Sequence, residues 1–134
     1  MKKLMSILFV LFGTVALLSF NGVYWQNSDW KVPAEEANKK NPYPADKENL
    51  TIGKQLYAKH CQSCHGKEGL GDGSKAEELE TFPGDFSIEE FQKQSDGALM
   101  YKLTEGREEM PGFKKKLPSD EDRWLVVSYM RTFE

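Results

Sequence analysis

The residues able to do chemistry are gathered in one short stretch, Cys61-Gln62-Ser63-Cys64-His65, which holds both cysteines of the 134-residue chain and one of its two histidines. Two thiols separated by two residues and followed at once by an imidazole form the attachment pattern of a c-type haem: each thiol is consumed in a thioether to a vinyl group, and the imidazole reaches the iron. Other uses of these residues fit poorly. A structural zinc site takes four protein ligands, and the remaining imidazole, His60, sits beside the first cysteine, where it cannot easily close a tetrahedron. A thioredoxin-like dithiol starts at a helix N-terminus, whereas here a helical stretch runs into the motif. No second CxxCH occurs. The sequence therefore predicts one haem c, covalently held by Cys61 and Cys64, with His65 on the iron.

The opposite face of the iron needs its own ligand unless the site is open. His60 immediately precedes Cys61 and cannot readily reach that face, which leaves Met100, Met110 and Met130 beyond the N-terminal segment. Met130 lies on a helix with a core face, and Met100 sits at helical spacing among apolar residues as pocket wall. Met110 lies in the polar loop Arg107-Glu108-Glu109-Met110-Pro111-Gly112-Phe113, where an apolar side chain wants a buried destination. Met110 is the predicted axial ligand. A thioether there raises the reduction potential relative to an anionic ligand or second imidazole. With both axial positions filled there is no room for oxygen or peroxide, so the reading is single-electron transfer and no enzyme activity. Two alternatives stay open: an accessory haem-bearing structural subunit of a membrane oxidase or dehydrogenase complex, and a domain with an open distal site that senses a small gas or reacts with peroxide.

The elements that must position these residues can be read along the chain. Met1-Lys2-Lys3 precedes an apolar run from Leu4 to Phe20, the pattern of a segment that carries the rest of the chain across a membrane. Residues 1–27 read as a signal peptide or a single transmembrane anchor, Tyr24 and Trp25 standing where an aromatic belt would lie. Either way the haem motif ends outside the cytoplasm. Residues 28–47, with Pro33, Pro42 and Pro44, read as a linker or strap, Trp30 and Tyr43 packing locally. Residues 48–134 form the domain, small for an independent core, so a covalent haem would complete it.

Within the domain a first helix starts near Asn49 and runs into the motif. Gly53 inside it costs ~1 kcal/mol relative to alanine, which asks for the close approach of another helix, with Tyr57 alongside. The partner is the last helix, capped by Ser119 with Asp122 in the reciprocal position, its apolar face formed by Val126, Tyr129, Met130 and Phe133. Between them, the glycines from Gly66 to Gly73 let the chain turn after His65 and pass close to a flat ring; no strand precedes them as a phosphate-binding loop would require. Two short helices come next, one begun by Ser87 with Glu90 as a capping box, the other from near Asp96 through Leu103 and ended by Gly106. Leu99, Met100, Tyr101 and Leu103 line or cover the pocket.

The chain carries a net charge of -3, so a nucleic-acid partner is not suggested. Lys114, Lys115 and Lys116 come directly after the ligand loop, against acidic runs elsewhere, including Glu77-Glu78, Glu89-Glu90 and Glu108-Glu109. They are predicted to steer docking to an acidic patch on a redox protein partner or respiratory complex.

Taken together, Cys61-Gln62-Ser63-Cys64-His65-Gly66, the Gly53 and Tyr57 helix before it, Met110-Pro111-Gly112-Phe113 after it and the Trp124 to Tyr129 helix resemble a small bacterial class I monohaem cytochrome c, over about residues 48 to 133. The resemblance implies an all-α fold, with short helices wrapped around one haem and the terminal helices crossing where Gly53 and Tyr57 meet Val126 and Tyr129. It implies His65 as proximal and Met110 as distal ligand. It also implies that the carbonyl of Pro83 orients His65 and that Arg107 approaches a haem propionate. The implied role is an electron carrier between respiratory-chain components on the periplasmic side of the cytoplasmic membrane, anchored or soluble after cleavage. The acidic balance departs from the lysine-rich mitochondrial type.

Overall fold

The computed structural model describes residues 30–133, so the predicted signal or anchor of residues 1–27 lies outside the described residues. Among the described residues the regular structure is helical, and no helix there is long and apolar enough to cross a membrane.

The first long helix, Lys47–His60, begins slightly earlier than its apolar spacing predicts because Asp46 caps it, its carboxylate accepting from the Asn49 N–H at 2.9 Å. It ends at Cys61, and the short Gln62–His65 helix takes the chain through the motif. The last helix, Asp120–Met130, starts at Ser119, whose hydroxyl accepts from the Asp122 N–H at 3.4 Å. These two long helices cross at Gly53. A Cβ there would run into the Leu125 carbonyl and come within 3.1 Å of the Tyr129 Cβ, so hydrogen alone fits. Beside the crossing, the Tyr57 ring meets Tyr129 at 5.4 Å and Phe133 at 5.2 Å between centroids. Val126 and Val127 are fully buried, and Trp124, Met130 and Phe133 join the same core.

Two features of the last helix are not visible in its apolar pattern. Arg123 is buried and directs its guanidinium to the Leu117 carbonyl and the Asp120 carboxylate. Past its end, Arg131 donates to the Asp96 carboxylate at 2.8 Å and 2.9 Å and to the Gln92 carbonyl at 2.8 Å, tying the C-terminus to the middle of the chain.

The middle helices fall close to where expected. Asp96–Glu105 is capped by Ser95, whose hydroxyl accepts from the Ala98 N–H, and it stops at Gly106, whose φ of 70° suits glycine. Ser87 does not cap the short Glu89–Gln92 helix. Its N–H and hydroxyl both donate to the Asp85 carboxylate, at 2.8 Å and 2.6 Å, and Ile88 occupies the cap position. A local aspartate two residues upstream competes better than the helix N-terminus.

Residues 30–47 pack on the domain. The Ala34–Ala37 helix lies against Asp96–Glu105 where Gly97 leaves no room for a side chain beneath the Glu36, Ala37 and Lys39 carbonyls. The Ser95 hydroxyl donates to the Ala37 carbonyl at 2.6 Å, and the Asn41 amide donates to the Ser128 hydroxyl at 2.8 Å and the Trp124 carbonyl at 3.2 Å. Tyr43 packs against the core.

Candidate haem site

The turn Cys61 to His65 is built by the first helix and locked from behind. The Tyr57 hydroxyl, buried, donates to the Gly66 carbonyl at 2.8 Å. The glycine loop then folds back on the motif: Gly71 N–H donates to the His65 carbonyl at 2.9 Å, Gly73 to Cys64 at 3.1 Å and Lys75 to Ser63 at 2.7 Å. A Cβ on Gly73 would come within 2.6 Å of the Gln62 carbonyl oxygen and the Cys64 carbonyl carbon. The close approach that Gly73 permits is therefore to the motif's own backbone, while Gly69 and Gly71 make room for the Phe133 and Phe82 rings.

Both cysteines are free thiols, Cys61 buried and Cys64 half-buried. Burial, and then the neighbouring Cys64, pushes the Cys61 thiol up to about 12. The imidazole of His65 is pushed down to about 4 by burial, against the opposing effect of the Pro83 carbonyl. It is therefore neutral at physiological pH, the form that ligates metals. Its Nδ1 is sealed from solvent and makes no hydrogen bond of normal geometry. The Phe86 ring lies against His65 at 4.5 Å and stacks on Phe91 at 4.3 Å.

Met110 is partly buried and packs on the core, while Met100 and Met130 are core members. The Met110 turn is tight, since Arg107 and Met110 exchange backbone hydrogen bonds at 2.9 Å in both directions. The Arg107 guanidinium stands 4.7 Å from the centre of the Trp30 ring, and Lys102 stands 5.4 Å from it. His60 lies edge-on to Phe113 at 6.2 Å. Lys114, Lys115 and Lys116 are exposed.

Three residues at this site escape sequence reasoning. Trp30 is far from Arg107 in sequence, and nothing local predicts the stack. Phe86 lies in a stretch without clear periodicity. Glu109, read as part of an acidic surface run, accepts from Glu80 and Thr81, and the Glu80 N–H, together with the Thr81 donors, holds its carboxyl below the usual range. A loop carboxylate beside a candidate ligand was the available signal.

The donor set fits a c-type haem. Two unpaired thiols separated by two residues, one of them buried, are not joined to each other, and the neutral imidazole beside them has a solvent-sealed Nδ1 without a hydrogen-bond partner. Among the described residues no group of three or more histidine, cysteine, aspartate or glutamate side chains could hold a bare metal ion.

Comparisons with known proteins point the same way. Residues 48–130 match the family described as cytochrome c oxidase, cbb3-type, subunit III. The chain is 34% identical over 97 residues to the thiosulfate dehydrogenase of Stutzerimonas stutzeri (strain A1501), which covers 69% of this chain and 30% of that protein. It also resembles a chain of the Kuenenia stuttgartiensis reducing HAO-like protein complex Kustc0457/Kustc0458, with a TM-score of 0.62 and 32% identity over 69% of this chain and 46% of that one. The chain thus spans less than half the length of either relative. The likeness to a dehydrogenase corrects one expectation, that the chain is an electron-transfer protein and no enzyme. A CxxCH turn and a methionine loop bear on how an iron would be held, and iron held that way could serve an oxidoreductase as well as a carrier.

Proposed function

The chain belongs to the family of subunit III of cbb3-type cytochrome c oxidases, and from that premise we propose that it is a haem c-bearing subunit passing single electrons within or alongside a respiratory redox complex outside the cytoplasm. The observation that carries this reading is the Cys61–His65 turn, with its free thiols and its neutral, buried imidazole nitrogen. Membership of a subunit family and likeness to a chain of a multi-protein complex favour the haem-bearing subunit over a freely diffusing carrier.

In this reading Cys61 and Cys64 would hold one haem covalently, and His65 and Met110 would ligate its iron. The haem, when bound, supplies a one-electron ferric/ferrous couple. The chain's own residues do the rest. Burial keeps His65 unprotonated, and the Pro83 carbonyl, which closes no hydrogen bond of normal geometry to the buried Nδ1 in this structure, would accept from that nitrogen once the ring ligates iron and so set its tautomer. The neutral thioether of Met110 favours the reduced form. Arg107 offers its guanidinium to a propionate, held by its stack on Trp30. The N-terminal segment attaches the subunit to the membrane or is removed on export.

Two measurements test the assignment. The intact mass of the mature protein should exceed that of the polypeptide by one haem, and Cys61→Ala with Cys64→Ala should abolish the increment. Met110→Ala should remove the sulfur-to-iron charge-transfer band of the ferric protein; an unchanged low-spin spectrum would reject Met110.

The likeness to thiosulfate dehydrogenase supports a second reading, in which the domain belongs to an oxidoreductase acting on a small sulfur anion. Thiosulfate-dependent reduction of an artificial acceptor by the purified protein would support it, and no turnover above background would remove it.

A further inference from the structure

Glu109 joins the two loops that flank the candidate haem site. Its Oε1 accepts from the Glu80 N–H at 3.1 Å, and its Oε2 accepts from the Thr81 N–H and the Thr81 hydroxyl, each at 3.0 Å. One end of this contact is the loop leading to Pro83, whose carbonyl acts on His65. The other end is the turn that carries Met110.

That turn needs an external hold. Glu108 has a φ of 53°, the one non-glycine residue with positive φ among the described residues, and left-handed backbone is disfavoured for an L-residue. Such strain persists where the surroundings over-determine it. The paired backbone bonds between Arg107 and Met110 close the turn on itself but do not fix where it sits. Glu109, the residue after the strained one, supplies three bonds to a segment 28 and 29 residues away. A carboxylate gripping two successive N–H groups and a hydroxyl is charge-assisted and directional.

We propose that Glu109 is a positioning residue, a latch that holds the Met110 turn against the Glu80-Thr81 backbone and so keeps the Met110 sulfur on the iron. This rests on the reading of Met110 as distal ligand. The latch lies outside the helix crossing at Gly53, so its loss leaves the helical core in place. With the latch open, Met110 leaves the iron more often and another ligand takes its place.

The experiment uses the haem-loaded full chain and imidazole as probe. Glu109→Ala should bind imidazole to ferric iron about tenfold faster than wild type, the rate equivalent of roughly one charge-assisted hydrogen bond. Glu109→Gln, which keeps one carbonyl acceptor, should fall between, and Thr81→Val should shift the rate less but in the same direction. Hydrogen exchange at the Glu80 and Thr81 amides should quicken in Glu109→Ala while the helix crossing stays protected. If Glu109→Ala does not fold, the other two variants carry the test. Wild-type imidazole rates and amide protection in the variants would overturn the latch alone. An unchanged ferric spectrum in Met110→Ala would overturn the ligand assignment and, with it, the role given to Glu109.

Discussion

Tyr57 shows how one side chain serves both the core and the site. Its ring fills the helix crossing and its hydroxyl reaches the Gly66 carbonyl, next to His65. Burial, chiefly, raises its pKa well above the ordinary phenol value. As pH rises past ~10, the unfolded chain gives up this proton while the folded chain keeps it. The stability linked to Tyr57 is therefore complete below that pH and lost above it. Tyr57→Phe should cost about 1 kcal/mol at neutral pH for the missing hydrogen bond. It should also lose less stability than wild type between neutral and strongly alkaline pH, and denaturant melts across that range would check the difference.

At the scale of elements, the Lys47–His60 and Asp120–Met130 helices depend on one missing side chain. Gly53→Ala would gain ~1 kcal/mol of helix propensity, but overpacking costs about 1–3 kcal/mol. The new methyl meets the Leu125 backbone carbonyl rather than a side chain able to turn away. The steric term takes the upper end of its range, and a net loss of up to about 2 kcal/mol should lower Tm by several degrees in a domain this small. A Tm equal to or above wild type in a thermal melt would show that the helices can separate without penalty. The strap depends on a second glycine in the same way: Gly97 lets the Ala34–Ala37 helix lie directly on Asp96–Glu105. The part that behaves as one packed unit thus begins before residue 48, where the family match begins.

At the scale of the molecule, charge bears on partners. The chain is acidic, with a net charge of -3, yet Lys114, Lys115 and Lys116 are exposed together just past the Met110 turn. Exchanging all three for glutamine should slow second-order electron transfer to an acidic partner and flatten its dependence on ionic strength, since long-range attraction is screened within ~10 Å at 0.1 M salt. Stopped-flow rates across a salt series would decide, and unchanged rates and slope would remove the lysines from docking. Native-size measurement after mild detergent extraction tests the subunit reading at the same scale, because a small free species would argue against it.

The CxxCH turn as a candidate site, the crossing at Gly53 and the helix cap at Ser119 were all legible in the order of the residues. Each of these signals is local: thiol spacing, helical period and cap chemistry act within a few residues, so they are written consecutively in the chain. The packing of residues 30–47 on the domain, the stack of Trp30 on Arg107, the burial of Arg123 and the grip of Glu109 on Glu80 and Thr81 emerged only with the folded molecule. Those contacts join segments far apart in the chain or give burial to a charged group, and neither composition nor periodicity records which distant loop a carboxylate or a ring will meet once the helices have crossed.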